Sequence, residues 1–381
     1  MIDRAIGSSK PLRRIYLDWN ATTPLHADVI DAMERAAHET WANPSSIHAE
    51  GRRSRAVIEA ARETIARFAV VSPRDVLFTS GATEANNLAL CHAPALVTSR
   101  IEHPSVVRVA EALEASGRPV TWLSVPPSGR IDAQRVADAL RDLPDGFVVA
   151  LMAVNHETGV IQPIPEVTEV VQRAGGSLHV DATQAAGKLP KEAWCFGDTM
   201  TLGAHKLRGP KGIGALVMRA GKVVKPILVG GAQERGLRPG TPDPVLAAGF
   251  GAAVERAEDG GVPRYASLSV LRDAIETAIR DHGHVNGFGA PRAPHVSNVS
   301  FDGWRGDELA ASLDLEGIAV SSGSACSAGT SEPSRVVAAM HGAARAEAAV
   351  RISLGDETRS EDVADAIDVL VRTLRRGSSS G

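Results

Sequence analysis

The chain has 381 residues, enough to bury a large core and to divide into a major and a minor domain. Its 41 Lys and Arg nearly balance 45 Asp and Glu, which argues against a polyanion groove or a membrane-surface patch and leaves direct nucleic-acid binding unexpected. Three cysteines, Cys91, Cys195 and Cys326, make neither a disulfide framework nor a closed zinc site, and no segment approaches the roughly 20 apolar residues of a membrane span; the expectation is a cytoplasmic protein without a metal.

Residues 15–19 read as a short strand, 20–24 as a turn and 26–41 as a helix. A long amphipathic helix follows, with Ile58, Ala61, Ile65 and Phe68 on one stripe, and ends before Ser72-Pro73. From there strands alternate with helices. Residues 76–80 lead through Gly81-Ala-Thr-Glu84 into a helix, and 96–98 lead through Glu102-His-Pro104 into another. Strands at 120–125, 147–154 and 177–180 are separated by helices near 132–143 and 165–174. This is an α/β order with a mostly parallel, buried sheet. A helix after Asp243-Pro244 runs to about 258, and the break at Gly260-Gly-Val-Pro263 is read as a domain boundary. Beyond it come helices near 265–281, 306–314 and 360–375 with strands at 296–301, 319–322 and 350–354, an α+β pattern. Residues 15–260 are assigned to a large domain, 1–14 and 261–376 to a small one, and 377–381 to a flexible tail.

Several residues stand where chemistry could use them. His205 and Lys206 lie in a Gly-rich bend between strand-like runs at 199–202 and 213–218, a way of presenting a lysine for imine chemistry or simply a basic hairpin turn. In the first case His205, Arg208 and Lys211 would lower its pKa. Gly81-Ala82-Thr83 opens a helix where free N–H groups suit a phosphate or an ordinary cap. Asp181 follows a buried strand, either to pair with a ring nitrogen or to cap a helix. His103 can stack on an aromatic ligand, carry a proton or be structural. Arg351, in a strand, needs a carboxylate from a substrate or from within the protein. Cys326 lies in the small, flexible run Ser321-Ser-Gly-Ser-Ala-Cys326-Ser-Ala-Gly-Thr330, which favours an accessible thiol. Cys91 and Cys195 have apolar neighbours and read as inert.

Together Tyr16-Leu-Asp-Trp-Asn-Ala-Thr-Thr-Pro24, Ser80-Gly-Ala-Thr-Glu84, Glu102-His103, Val154-Asn155, His179-Val-Asp-Ala-Thr-Gln184, His205-Lys206, Arg238-Pro-Gly-Thr241, the Cys326 run and Arg351 closely resemble the NifS/IscS-type cysteine desulfurases, over about residues 15–372. The resemblance implies the aspartate-aminotransferase-like fold of class V pyridoxal-phosphate enzymes (fold type I), acting as a homodimer. Carried over, Lys206 would hold pyridoxal 5′-phosphate as a Schiff base, Asp181 would pair with the pyridinium nitrogen, Gln184 would bond the ring oxygen and His103 would stack on the ring. Ala82, Thr83 and His205 would hold the phosphate, with Thr241 reaching it from the partner subunit, and Asn155 and Arg351 would bind the substrate carboxylate. Gly203 departs from the family, which often has Ser or Thr there, and removes one phosphate hydrogen bond. Pro239 and Pro242 also depart, in the loop that presents Thr241.

The implied reaction converts L-cysteine to L-alanine, with Lys206 and His103 moving protons and the Cys326 thiolate taking the sulfur as a persulfide. The sulfur then passes to an acceptor protein, an iron–sulfur scaffold or a thiolation enzyme among the choices. Rival readings are a selenocysteine lyase or another class V aminotransferase, which need Lys206 and Asp181 but not Cys326, and a non-catalytic scaffold of the same fold.

Overall fold

The structure is a computed structural model that describes residues 13–141, 143–219, 221–323 and 332–377. Ile15–Tyr16 (β1) opens the described chain. The apolar runs that follow become Val76–Thr79 (β2), Leu96–Ser99 (β3), Val120–Leu123 (β4), Val148–Met152 (β5), Ser177–Asp181 (β6), Thr199–Gly203 (β7) and Gly214–Met218 (β8). They form one sheet in the order β2-β8-β7-β6-β5-β3-β4. All its strands run parallel except β8, which is antiparallel to both β7 and β2. Helices cover both faces, so central strands are buried throughout: Leu178, Val180, Met200, Leu202, Leu216 and Val217 have no exposure. That is why they read as continuous apolar runs rather than alternating ones.

The remaining strands are Gly283–Val285 (β9), Val296–Phe301 (β10), Ile318–Ala319 (β11) and Ala349–Ser353 (β12). An antiparallel sheet has the order β12-β10-β9, and β11 pairs in parallel with β1. Helices Leu268–Ile279, Gly306–Leu315 and Ser360–Gly377 pack with these strands around a second core of Tyr265, Leu268, Phe301, Leu309, Val350 and Leu370. Ile15 and Leu17 lie in this second core, because β1 pairs with β11; the sequence had placed residue 15 onward in the large domain. Conversely Val336 and Met340, on helix Arg335–His341, pack into the core of the large sheet.

Several of the candidate site residues, Ala82, Thr83, His103, Asp181 and Lys206 among them, lie at or just past the C-terminal ends of the parallel strands, where open α/β sheets bind ligands. One loop there is tied down from two sides. Arg62, itself buried, donates to Glu234 Oε1 at 2.6 Å and Oε2 at 2.9 Å, and Phe78 N donates to the same Oε2 at 2.9 Å. Further on, Arg238 Nε donates to Glu84 Oε1 at 3.1 Å. The loop carrying Thr241 is thereby fixed to β2 and to helix Ala82–Leu90 despite left-handed backbone at Glu234 (φ 47°) and Arg235 (φ 59°).

Candidate active site

β7 ends at Gly203, and one tight turn, Ala204–Lys206, swings the lysine into a cavity of about 530 Å³. Lys206 Nζ donates to Asn20 O at 2.5 Å and to Ala21 O at 2.7 Å, so the turn after β1 supplies its seat. His205 and Lys211 line the same cavity. Arg208, expected beside the lysine, faces the small domain instead. Its Nη1 donates to Glu357 Oε1 at 2.6 Å and Asp356 Oδ1 at 3.3 Å, and its guanidinium stands 5.5 Å from the Trp19 ring centroid. A buried guanidinium needs those carboxylates, which outweigh a place beside another cation.

Asp181, at the end of β6, is held on both oxygens: Thr183 N donates to Oδ1 at 3.0 Å and Asn86 Nδ2 to Oδ2 at 2.8 Å. Asn86 cannot turn freely. Its Oδ1 lies 2.9 Å from His179 Nε2, and His179 Nδ1 lies 2.9 Å from Thr199 Oγ1. The same Nδ2 donates to Ser105 Oγ at 2.8 Å, and Ser105 Oγ lies 2.8 Å from His103 Nδ1. Ser105 N also donates to His103 Nδ1, at 3.1 Å, which leaves the proton of a neutral imidazole on Nε2. Burial lowers the pKa of His103, with Asp181 opposing and Lys206 reinforcing the shift, so the ring stays uncharged at neutral pH. His156 packs edge-on against it at 5.3 Å, and burial drives its pKa well down.

The cavity is also lined by the start of helix Ala82–Leu90, whose first N–H groups have no acceptor within the helix. Gly81 precedes it at φ 154°, and Gly214 lets β8 press against this turn: a Cβ on Gly214 would stand 2.7 Å from Gly81 C. Thr183 Oγ1 is buried in this wall without a partner among the described residues. His205 Nδ1 lies 3.1 Å from Thr22 Oγ1. Burial, with Lys206 and Lys211 adding, lowers its pKa to about 3.

Arg351, on β12, borders the cavity, and the carboxylate it was expected to need is Asp18: Nη2 donates to Asp18 Oδ1 at 2.6 Å and Nη1 to His156 O at 3.1 Å. Its Nε is buried and has no partner among the described residues. Ala82, Thr83, His103, Asp181, Gln184, His205, Lys206 and Arg351 are thus brought together, whereas Asn155 and Thr241 do not line the cavity. Asn155 is fully buried, accepting from Glu157 N, Thr158 N and Thr158 Oγ1 and donating to Ile101 O; its amide shapes the turn that carries His156. Thr241 is exposed. Cys326 lies outside the described residues.

The family description "Aminotransferase class-V" matches residues 15–365. The chain belongs to the class-V aminotransferase family. It is 37% identical over 378 residues to the cysteine desulfurase IscS of Dictyoglomus turgidum, covering 96% of this chain and 95% of that one. Among solved structures, a NifS-like protein superposes with a TM-score of 0.86 at 31% identity, covering 95% of this chain and all (100%) of the other. SspA in complex with cysteine superposes with a TM-score of 0.77 at 33% identity over 89% of this chain and 98% of that chain.

As a class-V enzyme the chain depends on pyridoxal 5′-phosphate, and the cavity fits it. A helix N-terminus and an orphaned threonine hydroxyl suit a phosphate, and a lysine and a carboxylate in the same lining suit the aldehyde and the ring nitrogen. Gly203 bears on this fit. Its backbone (φ −122°, ψ 120°) is open to any residue, and a Cβ there would meet Thr183 Cγ2 at 3.4 Å and Ala82 Cβ at 3.5 Å, ordinary contacts. Gly203→Ser should therefore fold normally and add a hydroxyl beside Ala82, slowing cofactor loss on dialysis by about tenfold, the worth of one good hydrogen bond. Unchanged loss would place the phosphate away from this strand end.

Proposed function

We propose that this chain is a cysteine desulfurase that turns L-cysteine into L-alanine and passes the sulfur through Cys326 to an acceptor protein. The observation that carries this reading is that Lys206, Asp181 and Arg351, an amine just past β7, an acid at the end of β6 and a guanidinium on β12, border one cavity. Bound pyridoxal phosphate supplies the electron sink for bond cleavage at the substrate. Lys206 would hold that group and move protons with its Nζ. Asp181, clamped by Thr183 N and Asn86, would pair with the ring nitrogen and favour its protonated form. Ala82, Thr83 and His205 hold the phosphate. Arg351 takes the substrate carboxylate, its buried Nε being the donor without a protein partner among the described residues. His103, neutral with Nδ1 engaged by Ser105, donates from Nε2. At Cys326 an S–S bond forms as the substrate's C–S bond breaks; the electron pair stays with the three-carbon fragment, which is protonated and leaves as alanine.

The same reading makes the enzyme a cytoplasmic homodimer. Thr241, exposed on a loop fixed by Glu84 and Glu234, would reach the partner's phosphate site. Asn155 acts by holding the His156 turn against Arg351 rather than by touching the substrate. Purified protein given L-cysteine and a reductant should release alanine and sulfide in equal amounts. A keto acid formed without sulfide would make it an aminotransferase instead.

A further inference from the structure

Lys188 is only 2% exposed, yet among the described residues no carboxylate forms an ion pair with its Nζ. Buried lysines normally have such a partner, because an unpaired charge in the interior costs several kcal/mol. The Nζ instead donates to Gln184 Oε1 at 2.9 Å and stands 5.7 Å from the Tyr265 ring centroid. Gln184 Nε2 donates in turn to Asn20 O at 3.0 Å, the same carbonyl that accepts from Lys206 Nζ at 2.5 Å. A line of contacts therefore runs from a lysine in the interior, through one amide, to the seat of the lysine in the cavity.

The groups around Lys188 do little to offset its charge. Lys206 and Arg351 repel it, and His295 and Tyr265 are uncharged neighbours. Asp356, the one acid that favours its charge, is engaged by Arg208 and Arg256. Burial above all, with Lys206 and Arg351 adding to it, lowers its pKa to about 7. A side chain kept at such a cost does something that a hydrophobe of the same length would not.

A carboxamide fits its site in two orientations that exchange oxygen and NH₂, and its partners decide between them. While Lys188 is protonated its ammonium has only hydrogens to give, so the face of Gln184 toward it is Oε1, and the opposite face, toward the Asn20 carbonyl that Lys206 also uses, is the NH₂. We infer that Lys188 is a positioning residue for the cofactor ring: it locks the Gln184 amide so that Nε2, and not Oε1, is presented to the cavity beside Lys206. This rests on the reading above in which Gln184 bonds the ring oxygen. A donor stabilises that oxygen as its anion, and an amide turned the other way would oppose it with a lone pair.

The test uses Lys188→Met, Gln184→Leu and the double variant, each stripped of cofactor and titrated with pyridoxal phosphate. Affinity, the position of the visible absorption band and the melting temperature of the cofactor-free protein are measured. Lys188→Met should weaken binding by about tenfold, the loss expected when one positioned hydrogen bond goes, and should move the band in the same direction as Gln184→Leu. The double variant should be no worse than Gln184→Leu alone, because the lysine acts only through the amide. The melting temperature should not fall, since methionine fills the volume and removes a buried charge. Should Lys188→Met fold poorly, Lys188→Gln, which retains an N–H donor, should recover most of the affinity. Additive effects in the double variant, or a Lys188→Met protein with unchanged affinity and band while Gln184→Leu changes both, would overturn the inference. If Gln184→Leu itself changes neither, the assignment of Gln184 to the ring fails, and this inference fails with it.

Discussion

Lys206→Ala should lower turnover of L-cysteine by at least about four orders of magnitude, roughly 5.4 kcal/mol of barrier, while leaving a folded protein. The loss is large because, in the proposed mechanism, the lysine would do two things that no neighbour can do in its place, holding the cofactor and moving protons. The fold should survive because the side chain is only half-buried and it donates to the carbonyls of Asn20 and Ala21, two residues that line the cavity rather than a packed core. Borohydride reduction of the loaded enzyme, followed by peptide mapping, should find the phosphopyridoxyl group on Lys206 alone. Lys211 and Lys188 are the instructive alternatives. Lys211 borders the cavity without sitting at a strand end, and Lys188 is buried behind Gln184. Label on either, or a Lys206→Ala protein that still turns over cysteine, would reassign the chemistry.

The residues that mark the site in the sequence are those for which no core has a use. Lys206 in a Gly-rich bend, Asp181 past an apolar strand and Gly81-Ala-Thr before a helix are all at strand ends, and the period of the flanking runs locates strand ends well. The support behind them was not legible. Asn86 lies within an apolar helix, His179 within an apolar strand and Lys188 within Ala185-Ala-Gly-Lys-Leu-Pro190, and each is polar at a position buried by the fold. A polar residue inside an apolar run was the available signal, but its partner is distant in sequence: Asn86 meets Asp181 across 95 positions. The fold shows the same division. Buried strands of the large sheet read as apolar runs, whereas β9, three residues long, and helices Arg335–His341 and Ala343–Glu347 have too few residues to display a period. The N-terminal run was assigned to the wrong core because β1 finds its partner only in β11, some 300 residues later.

Cys326→Ser should separate cofactor chemistry from sulfur transfer. The variant should load pyridoxal phosphate at Lys206 and respond spectrally to L-cysteine, yet lose sulfide and alanine release under turnover by about three orders of magnitude or more, since a hydroxyl is a far poorer nucleophile toward sulfur than a thiolate. The two cysteines in the described part of the chain are unsuited to the step. Cys195 is buried, its Sγ donates to Ala69 O at 3.0 Å and burial raises its pKa, with Arg219 and Lys191 opposing. Cys91 is half-buried with Sγ 3.7 Å from Asn87 Oδ1, and burial raises its pKa too. Raised pKa values leave little thiolate at neutral pH, and neither cysteine borders the cavity. Cys195→Ala should lower the melting temperature, because the thiol packs in the large core, and Cys91→Ala should do so less; neither should change the rate by more than about twofold. Mass spectrometry of enzyme incubated with L-cysteine should then find one extra sulfur on the peptide containing Cys326. Extra sulfur on the Cys91 or Cys195 peptide, or full activity in Cys326→Ser, would remove Cys326 from the mechanism and leave a lysine-and-acid site that acts without a protein nucleophile.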